Sequence, residues 1–205
     1  DFLNESVFDK LEEFSNGNCK IKDYKSLENK HQLKRLMLLS NETFRLDFSN
    51  FSNLEYLSVD WNKGFTSLGN LSKLQHVSIR KLNHANFTIL SNLSGIRKIE
   101  TVNGTFKNLE GIENLSDLQE IDIDSARKLT DLRGITKNQS KLVKIRLHGV
   151  PNLIDIDSLS NAKSLQYLQI TRFKKLNSLE SINTLKNLSF IAIRPINGKE
   201  QLIIK

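Results

Sequence analysis

A short apolar phrase recurs along most of the chain. It reads apolar, two variable residues, apolar, one variable residue, apolar, as in Leu33-x-x-Leu36-x-Leu38. Its copies begin at Leu33, Leu54, Leu74, Ile96, Leu118, Leu142, Leu165 and Leu188. The first residues of successive copies lie 20 to 24 residues apart. Eight copies at one period predict a solenoid in which each unit adds one turn.

Each unit contains two kinds of apolar spacing. The last three positions of the phrase alternate between apolar and variable residues, which is typical of a short strand with one buried face. Between phrases the spacing changes to every third residue, as in Leu109-x-x-Ile112-x-x-Leu115, and this indicates an irregular or 3₁₀ return. Stacked units would therefore share one hydrophobic column and pair their strands in parallel.

The pattern resembles the leucine-rich-repeat family, most closely the bacterial, internalin-like class with repeats of about 22 residues. The resemblance extends over roughly Ile21 to Ile193. It implies an α/β solenoid, a right-handed horseshoe with a parallel sheet on the concave face and an irregular or 3₁₀ convex side. The family's ninth-position Asn is matched only by Asn41 and Asn62. The later copies carry Leu82, Gly104, Ala126, Val150, Phe173 and Ile196 there, which predicts apolar-packed turns.

We interpret residues 1–205 as one domain. Apolar residues at helical spacing predict an amphipathic capping helix over 1–16; they are Phe2, Leu3, Val7, Phe8, Leu11 and Phe14. About nine repeats would occupy 17–195, with Cys19 and Ile21 pointing inward in a shortened first repeat. Residues 196–205 would form a C-terminal cap, because an open solenoid exposes its core and a strand edge.

Alternation places the third, fifth and seventh positions of each phrase on the exposed side of the sheet. In the family that this chain resembles, partners most often bind the concave sheet. Aromatic, apolar and Arg side chains are also frequent binding anchors. The predicted partner-binding residues are Met37, Tyr56, Asp60, Trp61, His76, Arg80, Glu120, Asp122, Arg146, His148, Tyr167, Arg172, Phe190 and Arg194. Trp61 could lie at the rim of this surface or pack within a turn, and the sequence leaves both alternatives open.

Glu120, Asp122 and Asp124 share one strand face and could be taken for a metal or hydrolase site. Strand register would instead place Glu120 between two lysines and Asp122 beside Arg146, so cross-strand ion pairing is favoured. No metal, cofactor or small-molecule substrate is predicted. No nucleophile–base set or phosphate-binding glycine motif is found, with Cys19 placed in the core, which argues against an enzyme.

The net charge of +7 and the pI of about 9.4 suit an acidic partner. The lysines are scattered through the repeat turns, which favours a solvated basic exterior over a nucleic-acid site. No stretch approaches the roughly 20 apolar residues of a membrane span, and the first residues do not form a signal peptide. A single cysteine favours a reducing, cytoplasmic compartment, with a secreted or surface location as the alternative.

These observations lead to one main hypothesis and two alternatives. The chain is expected to be a monomeric, non-catalytic module that binds a partner protein through its concave sheet. A bacterial immunity or antitoxin-type protein that masks a toxin domain is one form of this hypothesis, and a secreted or surface-attached adhesin is the alternative form. Binding of nucleic acid or another polyanion is a separate class, which the scattered lysines disfavour.

Overall fold

One parallel β-sheet extends through the described part of the chain, from Glu13 to Pro195. The computed structural model describes residues 8–17, 24–40 and 42–196. The strands of the sheet are β1 (Glu13–Gly17), β2 (Arg35–Leu39), β4 (Tyr56–Asp60), β6 (His76–Arg80), β7 (Lys98–Val102), β8 (Glu120–Asp124), β9 (Lys144–His148), β10 (Tyr167–Phe173) and β11 (Phe190–Pro195). Two short strands, β3 (Leu46–Asp47) and β5 (Phe65–Thr66), pair in parallel as a separate small sheet.

The order of the strands in the large sheet follows the order of the sequence. Equivalent positions of successive phrases are register partners, so that Tyr56 pairs with His76 and His76 pairs with Lys98. Each repeat therefore pairs with the repeats before and after it. The predicted stack of parallel strands is confirmed.

The predicted N-terminal capping helix is wrong over residues 13–16. Those residues belong to β1, and Glu13 pairs with Arg35 in parallel. In this register Leu11 and Phe14 occupy the first and fourth positions of a phrase, and both pack against the core. Helical and phrase spacings both place apolar residues three apart, and strand pairing wins because it also covers the edge of β2. Residues 8–12 form a turn and an irregular segment, not an α-helix. Residues 1–7 of the predicted cap lie outside the described residues, as do Cys19 and Ile21.

The hydrophobic column runs from the first described return to β11. The first, fourth and sixth positions of the phrases supply most of it, for example Leu118, Ile121 and Ile123, each at most 1% exposed. Tyr24 and Leu27, on the first described return, are also buried. The column ends at Leu185 and Ile193, which are 5% exposed, and of the predicted cap at 196–205 only Ile196 is described.

The returns between strands are short, as the spacing of three predicts. Six of them contain a 3₁₀ segment among the described residues: Lys25–Asn29, Phe48–Asn50, Leu68–Asn70, Thr88–Leu90, Asp157–Asn161 and Glu180–Thr184. Every third residue is buried in the central returns, as Leu109, Ile112 and Leu115 show, whereas Leu176, Leu179 and Ile182 of the last return are partly buried. The predicted irregular and 3₁₀ side of the solenoid is confirmed.

The chain leaves the sheet through a repeated backbone bend at the eighth position of the phrase. Five successive repeats have a residue with positive φ there: Lys81, Asn103, Ser125, Gly149 and Arg172. The amide of each of the first four donates to the seventh-position carbonyl of the next repeat, as Ser125 N does to His148 O at 2.7 Å. Four of the five are not glycine and adopt a conformation that costs about 1 kcal/mol. The inter-repeat bonds offset this cost.

The turns after the bend have apolar interiors, as the apolar ninth-position residues of the later phrases predict. Leu82, Ala126 and Val150 are fully buried there. Asn62 keeps a hydrogen-bonding role, because its Nδ2 donates to Glu42 O at 3.1 Å and its Oδ1 accepts from Gly64 N at 3.0 Å. Asn41 lies outside the described residues.

Thr101 places a hydroxyl in the hydrophobic column, at the sixth position of its phrase. Its Oγ1 is buried and has no hydrogen-bond partner within the described part of the chain. Removing an unpaired buried hydroxyl without changing the side-chain shape recovers its desolvation cost. We expect Thr101→Val to raise the free energy of unfolding by about 1–2 kcal/mol, measured by urea denaturation.

Thr171→Val is the matched control. Thr171 is also buried, but its Oγ1 lies 2.8 Å from His148 Nδ1 and 3.5 Å from Leu147 O. This variant should lower the free energy of unfolding by about 1 kcal/mol. Equal effects of the two substitutions would show that the hydroxyl of Thr101 is satisfied in solution.

Candidate functional site

The outward-pointing residues of the nine strands form a continuous surface, which we name the strand face. It consists of the third, fifth and seventh positions of each phrase. Parallel pairing brings equivalent positions of neighbouring strands to about 4.8 Å, so each position forms a row across the sheet. Twelve of these positions bear residues predicted to bind a partner, and the structure brings them onto one surface. Asp60, in the seventh row, is the one that is buried.

The third-position row begins with contacts between charged and aromatic side chains. Arg35 Nε lies 3.6 Å from Glu13 Oε1, and its guanidinium carbon lies 4.2 Å from the centre of the Tyr56 ring. The Tyr56 ring meets the His76 ring edge to face, with 4.7 Å between centroids. Cation–π and edge-to-face contacts fix the orientation of Tyr56 while leaving it partly exposed.

The centre of the strand face is a network of ion pairs. Glu100 accepts from His76 Nε2 at 2.8 Å and pairs with Lys98 Nζ at 2.7 Å. Glu120 lies between two lysines, 3.9 Å from Lys98 Nζ and 3.3 Å from Lys144 Nζ. The charges in this region therefore largely compensate one another.

Asp122 belongs to the same network, because Arg146 Nη1 donates to its Oδ1 at 2.6 Å. The predicted pairing of Glu120 and Asp122 across strands is thus confirmed. Asp124 accepts from the hydroxyl of Ser125 at 2.6 Å. Within the described ranges, no three His, Cys, Asp or Glu side chains are arranged to hold a metal ion.

The third-position row ends in two stacked aromatic rings. Tyr167 and Phe190 lie nearly parallel, with 4.3 Å between their centroids and 7° between their planes. Lys144 Nζ lies 5.7 Å from the Tyr167 ring centre, and the Tyr167 hydroxyl donates to Gln169 at 2.7 Å. Phe190 is 44% exposed. The stack is thus an ordered apolar platform that solvent reaches.

The seventh-position row differs from its prediction at Asp60, which was expected to be exposed. Asp60 is 4% exposed, because Arg80 and Lys81 of the next repeat cover it at 3.1 and 3.3 Å. Arg80, His148 and Arg194 remain solvent-accessible. Asp60 is thus placed to hold Arg80 and Lys81, beneath the surface that a partner would contact.

Two predicted residues lie beyond the strand face, at the eighth position. Trp61 packs partly buried against the core, with its ring edge to face with Phe65 and His84 at 6.2 Å each, so its main role is turn packing. Arg172 is exposed at an irregularity in the pairing of β10 with β11. Met37, in the fifth-position row, is half buried.

Lys98 and Glu100 were absent from the predicted partner-binding residues, although they link the two halves of the network. Their positions in the phrase, third and fifth, are the signal that identifies them. They were not predicted because neither is an aromatic, apolar or Arg side chain, the types expected to anchor a partner.

Glu100 has the most strongly shifted carboxyl group of the strand face. The hydrogen bond from His76, with further contributions from Lys98, lowers its pKa from 4.5 to about 2, although burial opposes this. The folded state therefore favours the carboxylate over the acid.

A lowered pKa in the folded state makes stability depend on pH. The stabilisation is complete above the unfolded-state pKa of about 4.5 and is lost as the pH falls towards about 2. We expect the free energy of unfolding to fall through this window, and Glu100→Gln to make the fall shallower while costing about 1 kcal/mol at neutral pH. Urea titrations across the pH range measure both effects.

Glu180→Gln is the control, because Glu180 is exposed on a return far from the strand face. It should leave the pH profile unchanged. A Glu100→Gln profile that matches the parent chain would mean that the network does not form in solution.

No protein-family model matches the sequence, and no curated protein matches it. Solved structures do match the fold. Internalin C2 from Listeria monocytogenes str. 4b F2365 superposes with a TM-score of 0.66 and 17% identity, over 88% of this chain and 80% of that one. The functional domain of InlJ from Listeria monocytogenes, which includes a cysteine ladder, gives a TM-score of 0.55 and 14% identity, over 87% of this chain and 48% of that one.

Identities this low bear on the fold, and the fold agrees with the repeat pattern of the sequence. No helix in the described ranges has the length and apolar character needed to cross a membrane. The nine parallel strands, the 3₁₀ returns and the superpositions together confirm the predicted solenoid. The chain therefore has the leucine-rich-repeat horseshoe fold that these internalin structures show.

Proposed function

We propose that the chain is a non-catalytic recognition module that binds a partner protein through the strand face. The observation that carries this proposal is the exposed stack of Phe190 on Tyr167. A ring that is 44% exposed contributes little to the core, and large aromatic side chains are frequent anchors of protein interfaces. Val102, 36% exposed near the middle of the sheet, is a second apolar contact.

The arrangement of the strand face also supports recognition of a protein. Its two aromatic regions, around Tyr56 and around Tyr167, lie at opposite ends of the third-position row, with the ion-pair network between them. Ordered side chains lose little rotamer freedom on binding. Such a surface suits a partner that offers apolar contacts at two places and a polar contact between them.

The source of the partner is a finer part of the proposal. One form is an immunity or antitoxin-type protein in the cytoplasm that masks a toxin domain, and the single cysteine, Cys19, supports it. The alternative form is a secreted or surface-attached adhesin, supported by the fold that the chain shares with internalins. A monomer is proposed in both forms.

Affinity capture tests whether the strand face binds a partner protein, and it also identifies that partner. The bait is the chain, exposed to lysate and to culture fluid of the source organism, beside the triple variant Tyr56→Ala, Tyr167→Ala, Phe190→Ala. We expect the parent chain to retain one protein in high salt. The variant should bind that purified protein at least about 30-fold more weakly, because truncated anchors cost 2 kcal/mol or more.

The matched control is Lys137→Ala, Lys163→Ala, Lys186→Ala, three exposed truncations off the strand face. It should bind as the parent chain does, and circular dichroism should show all three proteins folded. Capture from lysate supports the cytoplasmic form, and capture from culture fluid supports the adhesin form. A partner indifferent to the aromatic substitutions, or nucleic acid that salt removes, would refute recognition by the strand face.

A further inference from the structure

The positive charge of the chain is concentrated on one edge of the solenoid. This edge, which we name the exit rim, contains the eighth to twelfth positions of the phrases beginning at residues 33 to 188, where the chain leaves the strands. In the described residues these positions hold eight cations against a single carboxylate, Glu42. The cations are Lys63, Lys81, Lys107, Arg127, Lys128, Arg172, Lys174 and Lys175. The excess of seven equals the net charge of the whole chain, +7.

In the sequence these lysines and arginines are far apart, and stacking brings them together. The eighth-position amides of neighbouring repeats bind the next strand end, as Gly149 N does to Thr171 O at 3.0 Å. The exit rim is therefore held in the same register as the sheet. Residues that are scattered in the sequence thus lie along one edge of the fold.

A cavity of about 230 Å³ opens on the exit rim between the repeats of β8 and β10. Gly149 is one of its lining residues and lies between Ser125 and Arg172 in the eighth-position column. Arg127 and Arg172 line the cavity from its two sides, and Pro151 contributes an apolar wall. We name this feature the arginine notch.

The two arginines of the notch differ from Arg80, Arg133 and Arg146 in lacking, among the described residues, an ion pair with a carboxylate. Arg80, Arg133 and Arg146 each contact a carboxylate within 3.1 Å. Arg127 and Arg172 are exposed, and neither guanidinium has a carboxylate within ion-pair distance among residues 8–17, 24–40 and 42–196. Guanidinium groups bind carboxylates with two parallel hydrogen bonds, and two of them beside one cavity suit such a ligand.

We infer that the exit rim is a second binding surface, which takes an acidic protein segment and seats one of its carboxylates in the arginine notch. This surface adjoins the strand face along the seventh-position row, since His148 also lines the arginine notch, but it does not include the aromatic residues Tyr56, Tyr167 and Phe190. A peptide is favoured over a nucleic acid because binding of single strands relies on exposed aromatic rings. Trp61, the one tryptophan of the exit rim, is occupied with Phe65 and His84.

Binding of a labelled oligoglutamate peptide by fluorescence anisotropy tests this inference, with an oligothymidylate of equal charge as the competing ligand. Arg127→Gln, Arg172→Gln should weaken peptide binding about 10-fold, because the charge-assisted hydrogen bonds to the seated carboxylate are lost and solvent screens their contribution. Arg127→Lys, Arg172→Lys keeps the charge without the forked donors, and should recover only part of the affinity.

Lys163→Gln, Lys186→Gln is the matched control, because it removes the same charge from exposed positions off the exit rim. It should weaken binding far less. The triple aromatic variant of the strand face should bind the peptide normally, so failure of the strand-face proposal leaves this test intact. Three results would overturn the inference: no peptide binding, equal losses in the Arg and Lys variants, or tighter binding of the oligothymidylate.

Discussion

Parallel pairing in fixed register is the constraint on which the rest of this structure depends. Each strand pairs residue for residue with its neighbours, and the bonds continue beyond the strands through the eighth-position amides. A unit of about 22 residues has too little core to fold alone, and stacking supplies both the core and the partners for its backbone groups. The repeat sets which side chains meet, so the fold and its surfaces have the same origin.

The sequence predicted the parts of the fold that follow from period and alternation. Leu118, Ile121 and Ile123 are buried, and Glu120 and Asp122 meet Lys144 and Arg146, because spacing alone determines these outcomes. The first strand was missed because Leu11 and Phe14 fit a helix as well as a phrase, and Asn16 breaks the apolar pattern. Only the pairing of Glu13 with Arg35 distinguishes the two.

The sequence predicted which row of the strand face each candidate residue occupies. It predicted less well whether that residue is exposed. Alternation places Asp60 on the exposed side, but the length of Arg80 and Lys81 decides that it is covered. The same difficulty applies to Trp61, whose exposure depends on Phe65 and His84 rather than on its position in the phrase. Period identifies the face of a repeat protein, whereas exposure on that face depends on side chains from the next repeat.

The two surfaces differ in how their charges are balanced, and this difference determines the range of their effects. On the strand face, pairs such as Arg146 with Asp122 cancel within a few ångströms, so they contribute orientation rather than a field. On the exit rim eight cations accompany one carboxylate, and Lys81 among them pairs with Asp60 of the adjoining row. The remaining unbalanced charge acts over roughly a Debye length, about 8 Å at physiological ionic strength. Attraction of an acidic partner would therefore be directed first at the exit rim. In the function proposed for the strand face, selection among such partners falls to the short-range contacts of Tyr56, Tyr167 and Phe190, because apolar shape complementarity acts only after water has been excluded.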